Sequence, residues 1–475
     1  MSNPFLHTNL LTQTFRGTEG IKEVCFIGIG GIGMSALARF FEAQEVKVSG
    51  YDKTPSALTR ELEQAGIEIH YEEDLTKLAK SADLIVYTPA IPSIHKELSW
   101  YRENGYTLWK RSDLLQKITQ HSFNICIAGT HGKTTTTTMV AHILRESGFG
   151  CNAFLGGIAA NYGTNHWGST TNCCVVEADE YDCSFLKLQP HVALISAMDP
   201  DHLDIYGTVE AMEQAFIDFT SLIPAEGLLV YKQGLKRAED LKAPQKLSYH
   251  LQDTNADCYA ANLNVLNGKY HFQIVLQRQV IGNFELTMGG LHNVENAVGA
   301  IAIACALKIP VETIAKAIAS FKGVQRRFEK VVDTDQVVLI DDYAHHPAEL
   351  TALLKGVRSL YGNTRCTLLF QPHLYSRTRD LSSAFAEALS EADSVLLLPI
   401  YPARELPMEG VSSDLIADKM EKGKVQQFNE TALLQWVENE FKKKLKPGRK
   451  EILIVAGAGD IDQLVAPIKK ILVKS

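Results

Sequence analysis

Short apolar runs recur along the chain, each followed by polar residues and then by a stretch of helical period. The first, Glu23-Val24-Cys25-Phe26-Ile27, turns on glycines and enters an amphipathic stretch at 36–43. Val46-Lys47-Val48-Ser49-Gly50-Tyr51-Asp52, Ile67-Glu68-Ile69-His70 and Leu84-Ile85-Val86-Tyr87-Thr88 continue the alternation. The pattern restarts at Phe123-Asn124-Ile125-Cys126-Ile127-Ala128, ahead of a helix expected over 134–144. Cys173-Cys174-Val175-Val176 and Val192-Ala193-Leu194-Ile195-Ser196-Ala197 read as further strands, and an alanine-rich helix is expected at 297–307. Near Gly323 a third alternation begins, with strands at Val337-Val338-Leu339-Ile340-Asp341-Asp342, Cys366-Thr367-Leu368-Leu369-Phe370 and Ile452-Leu453-Ile454-Val455-Ala456. Continuous apolar runs between helices mark parallel strands covered on both faces. An α/β chain of three domains is expected, at 1–121, 122–323 and 324–475.

Composition narrows the class. Of 475 residues, 45% are hydrophobic and 21% charged, a soluble globular balance. Lys+Arg 47 against Asp+Glu 55 gives a net charge of −8, which argues against a nucleic-acid partner but leaves room for a local basic pocket. Nine cysteines form no C-x-x-C pair, no cationic-then-apolar leader opens the chain, and no apolar run reaches membrane-spanning length. A cytoplasmic protein with reduced thiols and no membrane insertion is expected.

Gly28, Gly30 and Gly33 satisfy G-x-G-x-x-G between a strand and a helix, where backbone N–H groups favour a diphosphate. Asp52, closing the second strand, can hold ribose hydroxyls. On these residues alone the ligand stays open: NAD or FAD, another diphosphate such as a nucleotide sugar, or no ligand at all.

Ala128-Gly129-Thr130-His131-Gly132-Lys133-Thr134-Thr135 resembles a phosphate loop one glycine short, since the first glycine of G-x-x-x-x-G-K-[ST] would fall on Ile127. Gly129 and Gly132 let backbone approach phosphate oxygens, Lys133 can neutralise β and γ groups, and the Thr134 hydroxyl suits Mg²⁺. Five successive threonines are poor helix formers, so hydroxyls facing an anion would explain them. Glu177-Ala178-Asp179-Glu180 and Asp199, Asp201, His202 and Asp204 follow the next two strands, where acids complete a metal site. Asn293 and Asn296 share a helical face and can read a base edge. In the last third, His345, His346, His373, Arg377 and Arg379 gather after strand ends, and an arginine fork suits a carboxylate.

A diphosphate loop, an ATP–Mg²⁺ loop and carboxylate-binding arginines, with no Ser-His-Asp or Cys-His set, suit carboxylate activation by ATP and attack by an amine. Together with Asp201-His202-Leu203-Asp204, His292-Asn293, Arg326-Arg327-Phe328 and Asp342-Tyr343-Ala344-His345-His346-Pro347, these motifs resemble the Mur ligases of peptidoglycan synthesis, relatives of folylpolyglutamate synthase. The short loop is that family's own form of the motif. The resemblance implies a Rossmann-like UDP-binding domain, a central phosphate-loop ATPase-like domain and a Rossmann-like third domain that closes over ATP.

The roles it implies are specific. Gly28, Gly30, Gly31, Gly33, Met34, Ser35 and Asp52 would hold the UDP substrate. Gly129, Thr130, His131, Gly132, Lys133, Thr134 and Thr135 would cradle the ATP phosphates, with His292, Asn293 and Asn296 around adenine and Asp342 at the ribose. Thr134, Glu177 and His202 would hold Mg²⁺. Arg327 would stabilise the transferring phosphoryl group, and His346, Arg377 and Arg379 the amino acid. The implied substrates are UDP-N-acetylmuramate and L-alanine, and the implied state is a monomer or weak homodimer. The runner-up is attachment of an intact tripeptide, a branch that shares Tyr181. A distant rival, an NAD-dependent oxidoreductase on the first loop, leaves the other motifs without work.

Overall fold

The computed structural model describes residues 20–200, 203–403 and 405–473. The first sheet contains β1 (Glu23–Ile27), β2 (Lys47–Tyr51), β3 (Glu68–His70), β4 (Leu84–Tyr87) and β5 (Leu108–Lys110) in the order β3-β2-β1-β4-β5. All four pairings are parallel. Strand order therefore reverses beside β1, and the chain leaves β1 and β4 in opposite directions there. That divergence opens the crevice in which such sheets bind ligands.

The second sheet joins β6 (Phe123–Ala128), β7 (Asn152–Ala159), β8 (Thr164–Trp167), β9 (Cys173–Glu177), β10 (Val192–Ile195), β11 (Leu228–Lys232), β12 (Gln245–His250), β13 (Cys258–Leu266), β14 (Lys269–Leu276) and β15 (Gln279–Leu286). Its order is β15-β14-β13-β12-β11-β10-β6-β9-β7-β8. Every residue of β6 is buried, as its unbroken apolar run requires, and β9 and β10 flank it in parallel. The loops after β6, β9 and β10 thus emerge side by side. Burial pushes the Cys151 and Cys174 thiols up to about 12, so these cysteines act as small core residues.

The third sheet contains β16 (Glu329–Asp333), β17 (Val337–Asp342), β18 (Cys366–Phe370), β19 (Ser394–Leu397), β20 (Val425–Gln427) and β21 (Glu451–Ala456), ordered β16-β17-β21-β18-β19-β20. Only β16 runs antiparallel to its neighbour.

The chain divides into two compact units. One takes the chain up to Asn262 with Phe272–Phe284 and Val294–Phe321; the other takes Leu263–His271, Glu285–Asn293 and the chain from Lys322 onward. Packing explains the excursions into the second unit. Tyr270 donates to Ser359 at 3.0 Å, Lys330 to the Gly268 carbonyl at 3.2 Å, and a Cβ on Gly289 would collide with the Phe328 ring. The helix expected at 297–307 starts earlier, spanning Leu291–Ala306, so Asn293 and Asn296 both lie inside it. Among the described residues, no helix is long and apolar enough to cross a membrane.

Candidate active site

The loop between β6 and the helix Lys133–Glu146 turns on two glycines with positive φ, +127° at Gly129 and +79° at Gly132. Any side chain there is strained. A Cβ on Gly129 would strike the Ser196 hydroxyl and lie 2.8 Å from the Ala197 nitrogen, and one on Gly132 would lie 2.6 Å from Asn296 Oδ1. The loop is pressed between the end of β10 and Asn296, which places Asn296 at the phosphate loop. Thr130 accepts from the Asp199 N–H at 3.1 Å, and the Ser196 hydroxyl donates to the His131 carbonyl. Gly132 begins the helix with no side-chain cap, so the first-turn N–H groups stay available to an anion.

The threonine run differs from expectation. Thr137 and Thr138 donate to the carbonyls of Lys133 and Thr134, at 2.8 and 2.7 Å. Their hydroxyls bond back onto the preceding turn, which is how a buried helix tolerates them. Thr134 alone among these hydroxyls meets an acid, donating to Glu177 Oε1 at 3.1 Å. Glu177 Oε2 accepts from the Gly156 N–H at 3.1 Å, and burial raises its carboxyl above the usual range, with Lys133 acting the other way. Lys133 donates to Glu180 Oε1 at 2.7 Å and to the Gly129 carbonyl at 2.8 Å. Glu180, one of the acids in the Glu177-Ala178-Asp179-Glu180 run, has no role of its own in the sequence reading; the structure gives it Lys133 as its partner.

A hydroxyl and a buried carboxylate side by side form the hard oxygen set that Mg²⁺ prefers, and a cation would offset the cost of ionising Glu177 there. Thr134 and Glu177 therefore fit the expected metal. His202, the third expected ligand, lies outside the described residues, as do Asp201 and the side chain of Asp204. Among the described residues, no group of three His, Cys, Asp or Glu side chains is set to hold a metal.

In the same unit a cavity of about 290 Å³ is lined by Gly31, Gly33, Met34, Arg111, Glu177 and Asp179, among others. It lies against the glycine loop and the loop after β9. The glycines are required by close approach: a Cβ on Gly28 would sit 2.9 Å from Thr88, and one on Gly33 2.7 Å from the Arg111 guanidinium. Asp52 accepts from the Gly30 N–H at 2.7 Å and from the Thr54 N–H at 3.1 Å, so it braces the loop. Ser35 is fully buried, with its hydroxyl donating to the Ile32 carbonyl and accepting from Asn165. Arg111, 3.5 Å from Asp179, is a cavity cation that no motif announced.

In the second unit, Arg327 sits between Arg326 and Phe328, whose φ values of 59° and 50° are left-handed without being glycine. Arg326 is clamped by Asp462 at 3.1 Å and by the Gly457 carbonyl at 2.5 Å, while the Arg327 guanidinium lies 5.6 Å from the Tyr343 ring centre. Asp342 ends β17 and accepts from the N–H groups of Phe328 and Ala344 at 2.7 and 2.8 Å; burial pushes its carboxyl up to about 6. Asn293 donates to the Gly289 carbonyl at 2.6 Å, and the His292 ring occupies the space a Gly290 side chain would need.

The two adjacent histidines separate cleanly. His346 is exposed and caps the helix Pro347–Tyr361, accepting from the Ala348 N–H at 3.4 Å. His345 instead faces His373, with ring centres 5.8 Å apart. Arg377 lies 3.4 Å from His373, which stacks on Tyr401. Burial lowers both imidazoles below their ordinary value, and each has nearby guanidinium charge acting the same way. Arg379 is exposed and forks onto Asp380 at 2.7 and 3.1 Å, apart from this cluster. The resemblance gives the amino-acid role to His346, which is also the helix cap, because proline at a first helical position makes its predecessor the cap.

Family models match along nearly the whole chain: the catalytic domain of the Mur ligase family at 23–123, the Mur ligase middle domain at 127–304, and the Mur ligase glutamate ligase domain at 326–459. A UDP-N-acetylmuramate–L-alanine ligase from Porphyromonas gingivalis is 47% identical over 460 residues, covering 95% of this chain and 99% of that one. The crystal structure of UDP-N-acetylmuramate-alanine ligase from Thermotoga maritima superposes with a TM-score of 0.80 at 25% identity, over 94% of this chain and 98% of that one. A murein peptide ligase from Psychrobacter arcticus shares the fold, with a TM-score of 0.66 at 22% identity over 96% of this chain and 99% of that one. Matched by these family models and 47% identical to a relative over nearly its full length, the chain belongs to the Mur ligase family.

Proposed function

We infer that the chain joins L-alanine to the lactyl carboxylate of UDP-N-acetylmuramate, with cleavage of ATP to ADP and phosphate, in the synthesis of peptidoglycan precursors. The observation that carries this reading is the Lys133 ammonium at an uncapped helix N-terminus, beside the Thr134–Glu177 pair and in the same unit as the glycine-loop cavity. A triphosphate site and a diphosphate cavity in one unit suit phosphoryl transfer to a nucleotide-linked acid. Hydride chemistry on the glycine loop would leave the first of these without a task. The alanine-adding activity named for the 47% identical relative supports alanine over an intact tripeptide.

The proposed chemistry has two steps. A lactyl oxygen attacks the γ phosphorus, giving an acyl phosphate and ADP. The alanine nitrogen then attacks the acyl carbon, forming the amide and releasing phosphate. Lys133 neutralises charge at the β and γ groups, and Gly129, Thr130, His131, Gly132 and Thr135 shape the cradle. Thr134 and Glu177, with His202, would hold Mg²⁺, which when bound neutralises phosphate oxygens. Arg327 is assigned to the transferring phosphoryl group, His292, Asn293 and Asn296 to adenine, and Asp342 to the ribose. Gly28, Gly30, Gly31, Gly33, Met34, Ser35 and Asp52 form or brace the UDP-substrate loop, with Arg111 added on its place in the cavity. His346, Arg377 and Arg379 are assigned to the amino acid, with His345 and His373 added on geometry. Imidazoles kept neutral at pH 7 can take the proton that the alanine ammonium must lose. A cytoplasmic location, a monomer or weak homodimer, and domain limits at 1–121, 122–323 and 324–475 go with this assignment.

The test is isotopic. With ¹⁸O in the lactyl carboxylate, the acyl-phosphate route places one ¹⁸O in the released phosphate. Phosphate without label would exclude carboxylate activation.

A further inference from the structure

Three acids lie within four positions at the end of β9, and each faces a different partner. Glu177 meets Thr134, Asp179 meets Arg111, and Glu180 meets Lys133. The third contact has no part in the functions assigned above. The Glu180 side chain is fully buried, while the Lys133 side chain is only 14% exposed, so solvent screens their pairing weakly. Glu180 is itself immobilised: its carbonyl accepts from the Tyr206 hydroxyl at 2.5 Å and from the Cys183 N–H at 3.0 Å. Asp182 and Cys183, just beyond it, hold φ of 56° and 53°, a left-handed backbone that persists only where surrounding contacts enforce it.

The pair is lopsided. Glu180 Oε2 is buried with no hydrogen-bond partner, although most buried acceptors are satisfied. Lys133 has three donors, of which Glu180 and the Gly129 carbonyl take two. The third is left for a phosphate oxygen. A lysine side chain otherwise samples many rotamers, and fixing it before the nucleotide arrives removes that cost from binding and from the transfer step. We propose that Glu180 is the positioning residue of the phosphate loop, a buried side chain that holds Lys133 in place and aimed at the incoming triphosphate. This rests on ATP being the substrate of that loop.

The test is a double-mutant cycle on the full chain, using Glu180→Ala, Glu180→Gln, Lys133→Ala and Lys133→Ala/Glu180→Ala. Affinity for a fluorescent ATP analogue is measured directly, alongside kcat and KM for ATP and for the UDP substrate. Glu180→Ala should lower kcat/KM for ATP by about 10²-fold, the scale of a lost transition-state donor, with KM for the UDP substrate unchanged. Glu180→Gln keeps an acceptor for Lys133 and should recover much of the loss. In the Lys133→Ala background the second substitution should change nothing beyond about twofold, because its effect passes through the lysine. Lys133→Ala strands a buried carboxylate, so its melting temperature should fall, and removing Glu180 as well should restore part of it. Equal effects of Glu180→Ala with and without Lys133, or unchanged ATP parameters, would overturn the proposal. Nucleotide affinity judges it even if wild-type protein fails to use alanine, a result that would count against the ligase reading alone.

Discussion

The glycine loop after β1 and the phosphate loop after β6 have the same outline: a buried strand, a glycine turn, and a helix beginning at a glycine with no side-chain cap. The helices Ala57–Gln64 and Val209–Thr220, by contrast, are capped by Ser56 and Thr208. The two loops differ in what braces them. The first is braced by the end of β2, with Gly28 and Ile29 donating to the Tyr51 carbonyl and Gly30 to Asp52, and the cation packed against it, Arg111, comes from a helix distant in sequence. The second carries its own cation, with Glu180 just past β9 gripping Lys133 and Glu177 at the end of β9 meeting Thr134. A diphosphate that is only held needs backbone N–H groups and a rigid turn. A triphosphate that is cleaved needs charge in place where charge moves.

That contrast can be broken from either side. The largest effect is expected at the phosphate loop: Lys133→Ala should reduce turnover by about 10³-fold or more, while calorimetric affinity for UDP-N-acetylmuramate stays within about twofold. Near-normal activity would dissociate the loop from the chemistry. At the glycine loop, Asp52→Asn leaves one backbone N–H short of its acceptor and should raise KM for the UDP substrate by about tenfold, at the scale of one lost charged hydrogen bond, with KM for ATP unchanged. A matching rise for ATP would mean the two sites are not separable.

A smaller effect is expected from pH. The Asp342 carboxyl, raised to about 6 by burial, is ionised above that value and protonates as pH falls through it. If it holds the ribose as a carboxylate, KM for ATP should climb several-fold, about the worth of one charged hydrogen bond, between pH 7 and pH 5.5. Asp342→Asn should start high and lose this dependence, whereas an identical slope in both would assign it to the nucleotide. A last contrast lies between two arginines. Arg377→Ala, in the histidine cluster, should raise KM for alanine about tenfold or more. Arg379→Ala should raise it less, by about two- to threefold, because Arg379 is exposed and already tied to Asp380.

Much of the scaffold was legible because its strands are short, apolar and buried on both faces. Phe123–Ala128, Val337–Asp342 and Cys366–Phe370 appear as the pattern drew them. The strands from β11 to β15 were not singled out. Polar and exposed positions interrupt β13 and β15, so no continuous apolar run marks them. The helix Leu291–Ala306 began earlier than expected because two glycines and a polar His-Asn pair mask its first turn. Within the site, the sequence pointed to residues in local motifs and not to residues brought in by topology. Arg111 reaches Gly33 across 78 positions of chain, a proximity that no spacing encodes. The division into two compact units also follows from packing, because 263–271 and 285–293 leave their sequence neighbours to pack with the C-terminal unit.

Phosphate release tests the central claim most directly. The protein would be supplied with ATP, Mg²⁺ and UDP-N-acetylmuramate, and L-alanine compared with the L-Ala-γ-D-Glu-diaminopimelate tripeptide. Release with alanine, and not with the tripeptide, is the predicted result. Release with the tripeptide alone, or with neither, would contradict it.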